Sequence, residues 1–275
     1  MVSEVGLGVE HLKELTRSQV SEVASASISY GVNFVDLVWS LPHILEGISD
    51  AANGHEIHYQ LHLGSGVENN KYKRTRNPEE CERYFDEALS LLHVSCADIL
   101  NIHYLSNMKA WNEVKKKGVF DLAMELKQRK RAKAIGVSTH STDVVKLAAQ
   151  SGIFDTVTFQ INVANHTLKD RDVALNTCIE HGIGVIAMKP FAGGKLLQRG
   201  KLVKVSGYQR GGNPLEFLIP SNVTVHQCLS YAIDQPGVST VICGFSSLSE
   251  VQEALHQAPG SYSDLLSQLY QTKNS

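Results

Sequence analysis

Cysteine is scarce and poorly placed for cross-linking. Cys81, Cys96, Cys178, Cys228 and Cys243 are odd in number and widely spaced, with no Cys-x-x-Cys pair. This argues against a disulfide framework or a Cys-rich zinc or iron–sulfur centre and fits free thiols in a reducing compartment. Long hydrophobic runs are also missing: none approaches the ~18–20 apolar residues that cross a bilayer. The opening MVSEVGLGVEHLKEL has no basic stretch followed by an apolar one and does not read as a signal peptide. Nor does one sign of charge dominate. Lys and Arg total 26 against 28 Asp and Glu, so no basic field exists to hold a nucleic-acid backbone. The expectation is a cytoplasmic protein that acts on a small molecule, with neither a membrane nor a nucleic acid as partner. Composition leaves the oligomeric state open.

What is present suits a large folded core. The chain of 275 residues is 43% hydrophobic, with 21 Gly and 7 Pro, which excludes collagen-like and low-complexity classes. That length is fewer than two domains at about 150 residues each, and α/β barrels run to ~200–250 residues as one unit. Strand and helix periods alternate. Strand-like runs lie at Val5–Gly8, Asn33–Val38, His58–Leu63, Asp98–Tyr104, Lys133–Ser138, Thr156–Asn162, Gly184–Pro190 and Ser239–Gly244. Helical spacing falls between them, roughly at Ser18–Tyr30, Ile44–Ala52, Pro78–Leu92, Trp111–Arg129, Thr142–Gln150, Lys169–His181, Val225–Asp234 and Leu248–His256. The third helix has the clearest start: Asn77 as cap, Pro78 at the first position, Glu79 and Glu80 at the positive end of the dipole. Strands apolar on both faces suit a parallel sheet covered by helices.

This order predicts an α/β fold, a single-domain (β/α)8 TIM barrel over residues 1–275; an open doubly wound sheet is the alternative. Gly6-Leu7-Gly8 lacks the third glycine and the helix of a dinucleotide fingerprint. Residues 195–220 show no period and read as a long loop after strand seven, and Ser261–Ser275 reads as a tail that adds a final helix.

Barrel chemistry sits at the carboxyl ends of the strands. There the sequence places Asp36 and Trp39, then His62, His103, Ser138-Thr139-His140, Gln160 and Lys189. Any one of them reads as a core residue with its hydrogen bonds satisfied. Their coincidence at equivalent strand ends points to a site, and imidazole beside carboxylate suits proton transfer near neutral pH.

At these residues the chain resembles the aldo/keto reductase superfamily. The similarity runs through Val5–Gly8, Gly31–Asp36, Ala97–His103, Ala134–Ser138, Gln160–Asn162, Gly182–Gly194 and Val238–Gly244. It implies a barrel that binds NAD or NADP without a separate dinucleotide domain. By the same resemblance Asp36, His62 and His103 are the catalytic candidates. Gly8, Ser138, Thr139, Gln160, Met188, Lys189, Pro190, Phe191, Gly194, Gly244 and Ser246 are the cofactor candidates. Trp39, Tyr72 and Trp111 are taken as substrate-binding, and no metal ligand is assigned.

Two members of the family's Asp, Tyr, Lys and His tetrad are absent. The tetrad tyrosine, five residues after Asp36, is Leu41 here, and no Tyr occurs between Tyr30 and Tyr59; the lysine position holds His62. The family asparagine after Ser138 is Thr139, and Glu250 stands where a cation often meets an NADP 2′-phosphate. NAD, or a cation borrowed from the Arg199–Arg210 loop, would compensate. The segment from His62 to Ser65, with Asn70 to Arg76, resembles a divergent branch described as predicted oxidoreductases; Tyr72, Arg74 and Arg76 read either as closing over an anionic substrate or as a solvated loop. The expectation is hydride transfer between nicotinamide and a carbonyl or alcohol, with His103 as proton donor or acceptor. A lyase, epimerase or dehydratase using the same three residues is one alternative, with a metal-ligating variant. A non-catalytic binding subunit is another.

Overall fold

Eight parallel strands close on themselves in the computed structural model, which describes residues 1–68, 71–205, 214–256 and 261–271. In chain order, β1 (Val5–Gly8), α1 (Arg17–Ser29), β2 (Phe34–Leu37), α2 (Pro42–Ala52) and β3 (His58–Leu63) come first. A hairpin of β4 (Ser65–Glu68) and β5 (Lys71–Arg74) precedes α3 (Pro78–Leu91) and β6 (Ala97–Ile102). Next are α4 (Met108–Lys116), α5 (Val119–Gln128), β7 (Ala132–Thr139), α6 (Thr142–Gln150), β8 (Thr156–Gln160), α7 (Arg171–Glu180) and β9 (Gly184–Met188). A second hairpin, β10 (Leu202–Val205) with β11 (Leu215–Leu218), leads to α8 (Val225–Ile233), β12 (Val238–Gly244), α9 (Leu248–Leu255) and α10 (Ser263–Gln271). The ring runs β1-β12-β9-β8-β7-β6-β3-β2, and β1 pairs with both β12 and β2, so the sheet has no open edge. This is the (β/α)8 barrel, and the open-sheet alternative falls. Among the described residues no helix is long and apolar enough to cross a membrane.

Strand parity explains what is buried where. Outward residues such as Val35, Leu37, Leu61, Leu63, Leu100 and Ile102 join the helices in one large apolar core. Inward residues are mixed rather than uniformly apolar. Phe34, Ile186 and Ile242 form a small apolar plug inside the barrel, and a Cβ on Gly6 would come within 2.7 Å of the Phe34 ring. Gln60, Asn101 and Thr158 are tied together by hydrogen bonds of 3.2 and 3.4 Å, and Asp36, His62 and His103 are the inward residues of β2, β3 and the end of β6. The expected two-sided apolarity therefore holds for the outer face only; the inner face is part core and part site.

Local chemistry sets the element ends. Asn77 accepts from the Glu80 N–H and caps α3, with Pro78 in its first turn. The single helix expected over 111–129 is two, α4 and α5, because Gly118 takes φ +78° between them. The described parts of the expected long loop after the seventh barrel strand include the paired strands β10 and β11. In β10 Val203 and Val205 are buried while Leu202 and Lys204 are exposed, a period of two that four residues are too short to reveal. Gly207, Arg210, Gly211 and Gly212 of that loop lie outside the described residues, as does Asn70 of the first hairpin. The final helix, α10, is anchored by buried Leu265 and Leu269 and by Tyr270, whose hydroxyl donates to the Val163 carbonyl at 2.8 Å.

Candidate active site

Asp36 Oδ1 receives two donors, the Gln60 amide Nε2 and the His62 ring Nε2, each at 2.6 Å. The other nitrogen of His62, Nδ1, faces Nδ1 of His103 at 3.2 Å. His103 Nε2 meets the Tyr72 hydroxyl at 2.7 Å. One line of hydrogen bonds thus runs from a buried carboxylate through two stacked-edge imidazoles to a phenol. Strand register makes it possible: Asp36 pairs with Gln60 across β2 and β3, and His62 pairs with Asn101 across β3 and β6, one strand-pleat before His103.

Tyr72 reaches this line because the β4–β5 hairpin folds over the barrel mouth. Gly64 turns the chain at φ +97°, and a Cβ there would lie 2.8 Å from the Thr75 carbonyl oxygen. Gly66 lets the hairpin lie on the Tyr84 ring; a Cβ would sit 2.2 Å from it. Thr75 Oγ1 and Lys73 Nζ both donate to Glu80 of α3, at 2.5 and 2.9 Å. Arg76 donates to the carbonyl oxygens of His103 and Tyr104, at 2.7 and 3.0 Å. It buttresses the backbone of His103 instead of closing over an anionic substrate, which corrects the expectation for that residue. The Tyr72 ring packs on Trp39 with centroids 4.3 Å apart.

Asp36, His62, His103, Trp39 and Tyr72 line one cavity of about 630 Å³ at the carboxyl ends of the strands. The rest of its lining includes Gly8, Ser138, Met188, Lys189, Pro190, Phe191, Gly194 and Gly244. Lys189, Ala192, Gly193 and Gly194 all have positive φ, an unusual concentration of left-handed backbone in one turn. Gly193 and Gly194 face open space: an added Cβ on either would meet nothing within 4 Å. Gln160, inward at the end of β8, has a buried Nε2 without a hydrogen-bond partner.

Electrostatics favour neutral rings here. Burial holds His103 well below the ordinary histidine range, with His62, Arg76 and Arg74 adding to the effect. His140, across the cavity, is brought down to about 4 by burial and by Lys189. Burial raises the Tyr72 phenol. Both ring nitrogens of His62 are occupied by Asp36 and His103, and no group of three or more His, Cys, Asp or Glu among the described residues is placed to hold a metal.

Four expected site residues do not line the cavity. Trp111 is buried on α4 against Phe120 and Phe154, at 4.9 and 5.6 Å between centroids, and belongs to the core. Thr139 is wholly buried, donating to the Leu105 carbonyl at 2.6 Å and accepting from the Ser141 N–H at 3.0 Å. Ser246 is exposed, and both its N–H and its hydroxyl are engaged by Glu250. Gln160 is inward but sits beneath the lining. Conversely, Glu10, His11 and Tyr104 line the cavity unanticipated, and His140, noted only as a strand-end residue, lines it too. Of these only His140, at the end of the strand that carries Ser138, had a signal in the sequence. Arg199, a candidate to borrow for a 2′-phosphate, instead donates to the Val223 carbonyl and faces Glu253.

Comparison with known proteins now bears on this geometry. The family model described as "Aldo/keto reductase family" matches residues 4–259. The chain belongs to this family. A search of the curated proteins found no match. Among solved structures, the chain is similar to holo aldo-keto reductase AKR11C1 from Bacillus halodurans, with a TM-score of 0.75 at 19% identity over 96% of this chain and 91% of that one. It is similar to glycerol dehydrogenase AKR11B4 from Gluconobacter oxydans, at 0.69 and 17% over 96% and 89%. It is also similar to an aldo/keto reductase from Klebsiella pneumoniae solved with NADP and acetate, at 0.68 and 18% over 98% and 92%. At such identities the aldo/keto reductase barrel is what is shared. Family membership makes the chain an oxidoreductase of the NAD(P)-using kind.

Proposed function

We propose that this aldo/keto reductase passes hydride between a nicotinamide dinucleotide and a carbonyl or alcohol carbon, with the His103 ring on the path of the accompanying proton. One observation carries the reading: the Asp36–His62–His103 line opens into the same cavity as the ends of β8, β9 and β12. Thr158, one pleat before Gln160 on β8, lines that cavity together with Met188 of β9 and Gly244 of β12. The left-handed turn 189–194, open above Gly193 and Gly194, leaves room for a diphosphate. When bound, the dinucleotide supplies or accepts the hydride. Ser138, Met188 and Phe191 would hold its ring end, and Trp39 and Tyr72 would wall the substrate side. A lyase, epimerase or dehydratase would use the same three residues but gives no role to the left-handed turn 189–194 that opens on the cavity.

Binding comes first as a test. Trp39 lines the cavity and Trp111 lies in the core, so NADH titration should quench the Trp39 share of the fluorescence, with a dissociation constant in the micromolar range. A Trp39→Phe variant should lose that quench. Absence of dinucleotide binding at millimolar concentration rejects the reading.

A further inference from the structure

We propose that Tyr72, delivered by the β4–β5 hairpin, is the residue that exchanges the proton with substrate, and that its neutral relay through His103 and His62 to Asp36 points one way, toward taking a proton from an alcohol. The proposal rests on the oxidoreductase reading and deepens it. The position five residues after Asp36, where the family's tyrosine would stand, is Leu41, which packs against the core. A phenol nevertheless arrives in the cavity, from another element, bonded to His103.

Donor and acceptor rules fix the direction. A carboxylate at Asp36 only accepts, so His62 carries its hydrogen on Nε2. Its Nδ1 is then a lone pair and must accept from His103 Nδ1–H. His103 Nε2 is left as a lone pair and accepts from the Tyr72 hydroxyl. Every proton of the neutral line therefore points toward Asp36, and the Tyr72 oxygen offers only lone pairs to the cavity. In alcohol oxidation the substrate C–H bond breaks and its electron pair leaves with the hydride to the nicotinamide. The O–H proton moves to Tyr72 Oη, the Tyr72 proton to His103 Nε2, and the His103 Nδ1 proton to His62. The tyrosine is restored, and one positive charge rests on His62 beside Asp36. Carbonyl reduction runs the same steps backwards and must begin with that extra proton in place.

Charged and titratable groups around the line agree with a neutral resting state. Asp36 and His62 face His103 from β2 and β3, Arg74 and Arg76 from the hairpin and its exit, and His140 and Lys189 from across the cavity. Burial first, and the two arginines after it, disfavour a resting cation at His103. Oxidation should accelerate as pH rises and reduction as pH falls, through one shared apparent pKa.

The test uses Tyr72→Phe in the full chain. Histidine ¹⁵N NMR at pH 7.5 should find His103 protonated on Nδ1 and His62 on Nε2, and the variant should shift His103 Nε2 while leaving His62 bonded to Asp36. With NAD⁺ and 1,2-propanediol, or NADH and methylglyoxal, as probes, the variant should lose about 10²–10³-fold in turnover and both opposed pH dependences, with NADH affinity within about threefold. A His103 protonated on Nε2 in the native protein, an unmoved ¹⁵N shift in the variant, or retained turnover with an unchanged pH profile overturns the proposal. Wild-type protein that binds no NADH rejects the underlying reading as well, and the NMR result separates the two failures.

Discussion

Nδ1 of His62 and Nδ1 of His103 face each other at 3.2 Å, and only one of the two can carry the hydrogen between them. Asp36 decides which, because it claims the hydrogen on the far side of His62. An Asp36→Asn variant keeps the shape but turns an acceptor into a group that can donate, which allows His62 to flip its tautomer and reverse the line. Turnover with a dinucleotide should fall by roughly 10²–10⁴-fold, the scale of a wrong-tautomer imidazole in a related logic, while NADH affinity stays within about threefold. Stopped-flow hydride transfer separates the two quantities. Turnover within threefold of wild type would mean that the carboxylate does not set the ring.

The hairpin is held down by a missing side chain. A Cβ on Gly66 would lie 2.2 Å from the Tyr84 ring, and that ring is itself buried on α3. Gly66→Ala should therefore cost about 1–3 kcal/mol by overpacking and lift Tyr72 from His103, reducing activity more than stability alone would. Tyr84→Leu makes room for the added methyl at the cost of the ring's contact with the Arg83 guanidinium, 4.4 Å from its centroid. The double variant should recover most of the activity lost in Gly66→Ala. Thermal melts and turnover of the single and double variants check this, and no rescue would count against the hairpin contact as the cause.

How far the sequence reaches is visible in these same residues. The barrel is legible because a period of two and a period of about 3.6 alternate along the chain. Asp36, His62 and His103 are legible because polar residues at inward positions of strand ends have few structural uses. Tyr72 is legible as a site residue but not as the partner of His103, since that contact is made by a hairpin fold 31 residues earlier in the chain. Trp111 misleads because an aromatic on an amphipathic helix looks the same whether it faces a pocket or, as here, Phe120 and Phe154. Thr139 misleads for a similar reason: its hydroxyl is consumed by the Leu105 carbonyl, a bond set by tertiary packing.

Stability should fall on mild acidification. His140 drops from the ordinary 6.5 to about 4 in the fold, and His103 is also held well below 6.5. An unfolded chain binds protons at these histidines near pH 6.5 while the folded one does not, so stability is full above that pH and is lost as pH falls toward 4. For His140 the loss is at most about 3 kcal/mol. A His140→Gln variant should gain in melting temperature relative to wild type as the buffer moves from pH 7 to pH 4.5. A difference that does not change with pH would show that His140 titrates normally.

The preference between NADH and NADPH can be tested at Glu250, just beyond the end of β12. Ser246 N–H donates to Glu250 Oε2 at 2.6 Å and the Ser246 hydroxyl donates to the same oxygen at 2.9 Å. The chain's own carboxylate thus occupies both donors of Ser246. A 2′-phosphate arriving there meets like charge and occupied donors, so NADH should bind more tightly than NADPH. Glu250→Gln removes the charge but keeps an oxygen that can accept from both Ser246 donors, so the turn should survive. The ratio of NADPH to NADH dissociation constants should then fall about 5- to 10-fold, the order expected for one exposed charge a few ångströms away. The narrowing should shrink at 0.5 M salt, where such charges are screened. Equal affinities in the wild type, or an unchanged ratio in the variant, would mean that the 2′-phosphate lies away from Glu250.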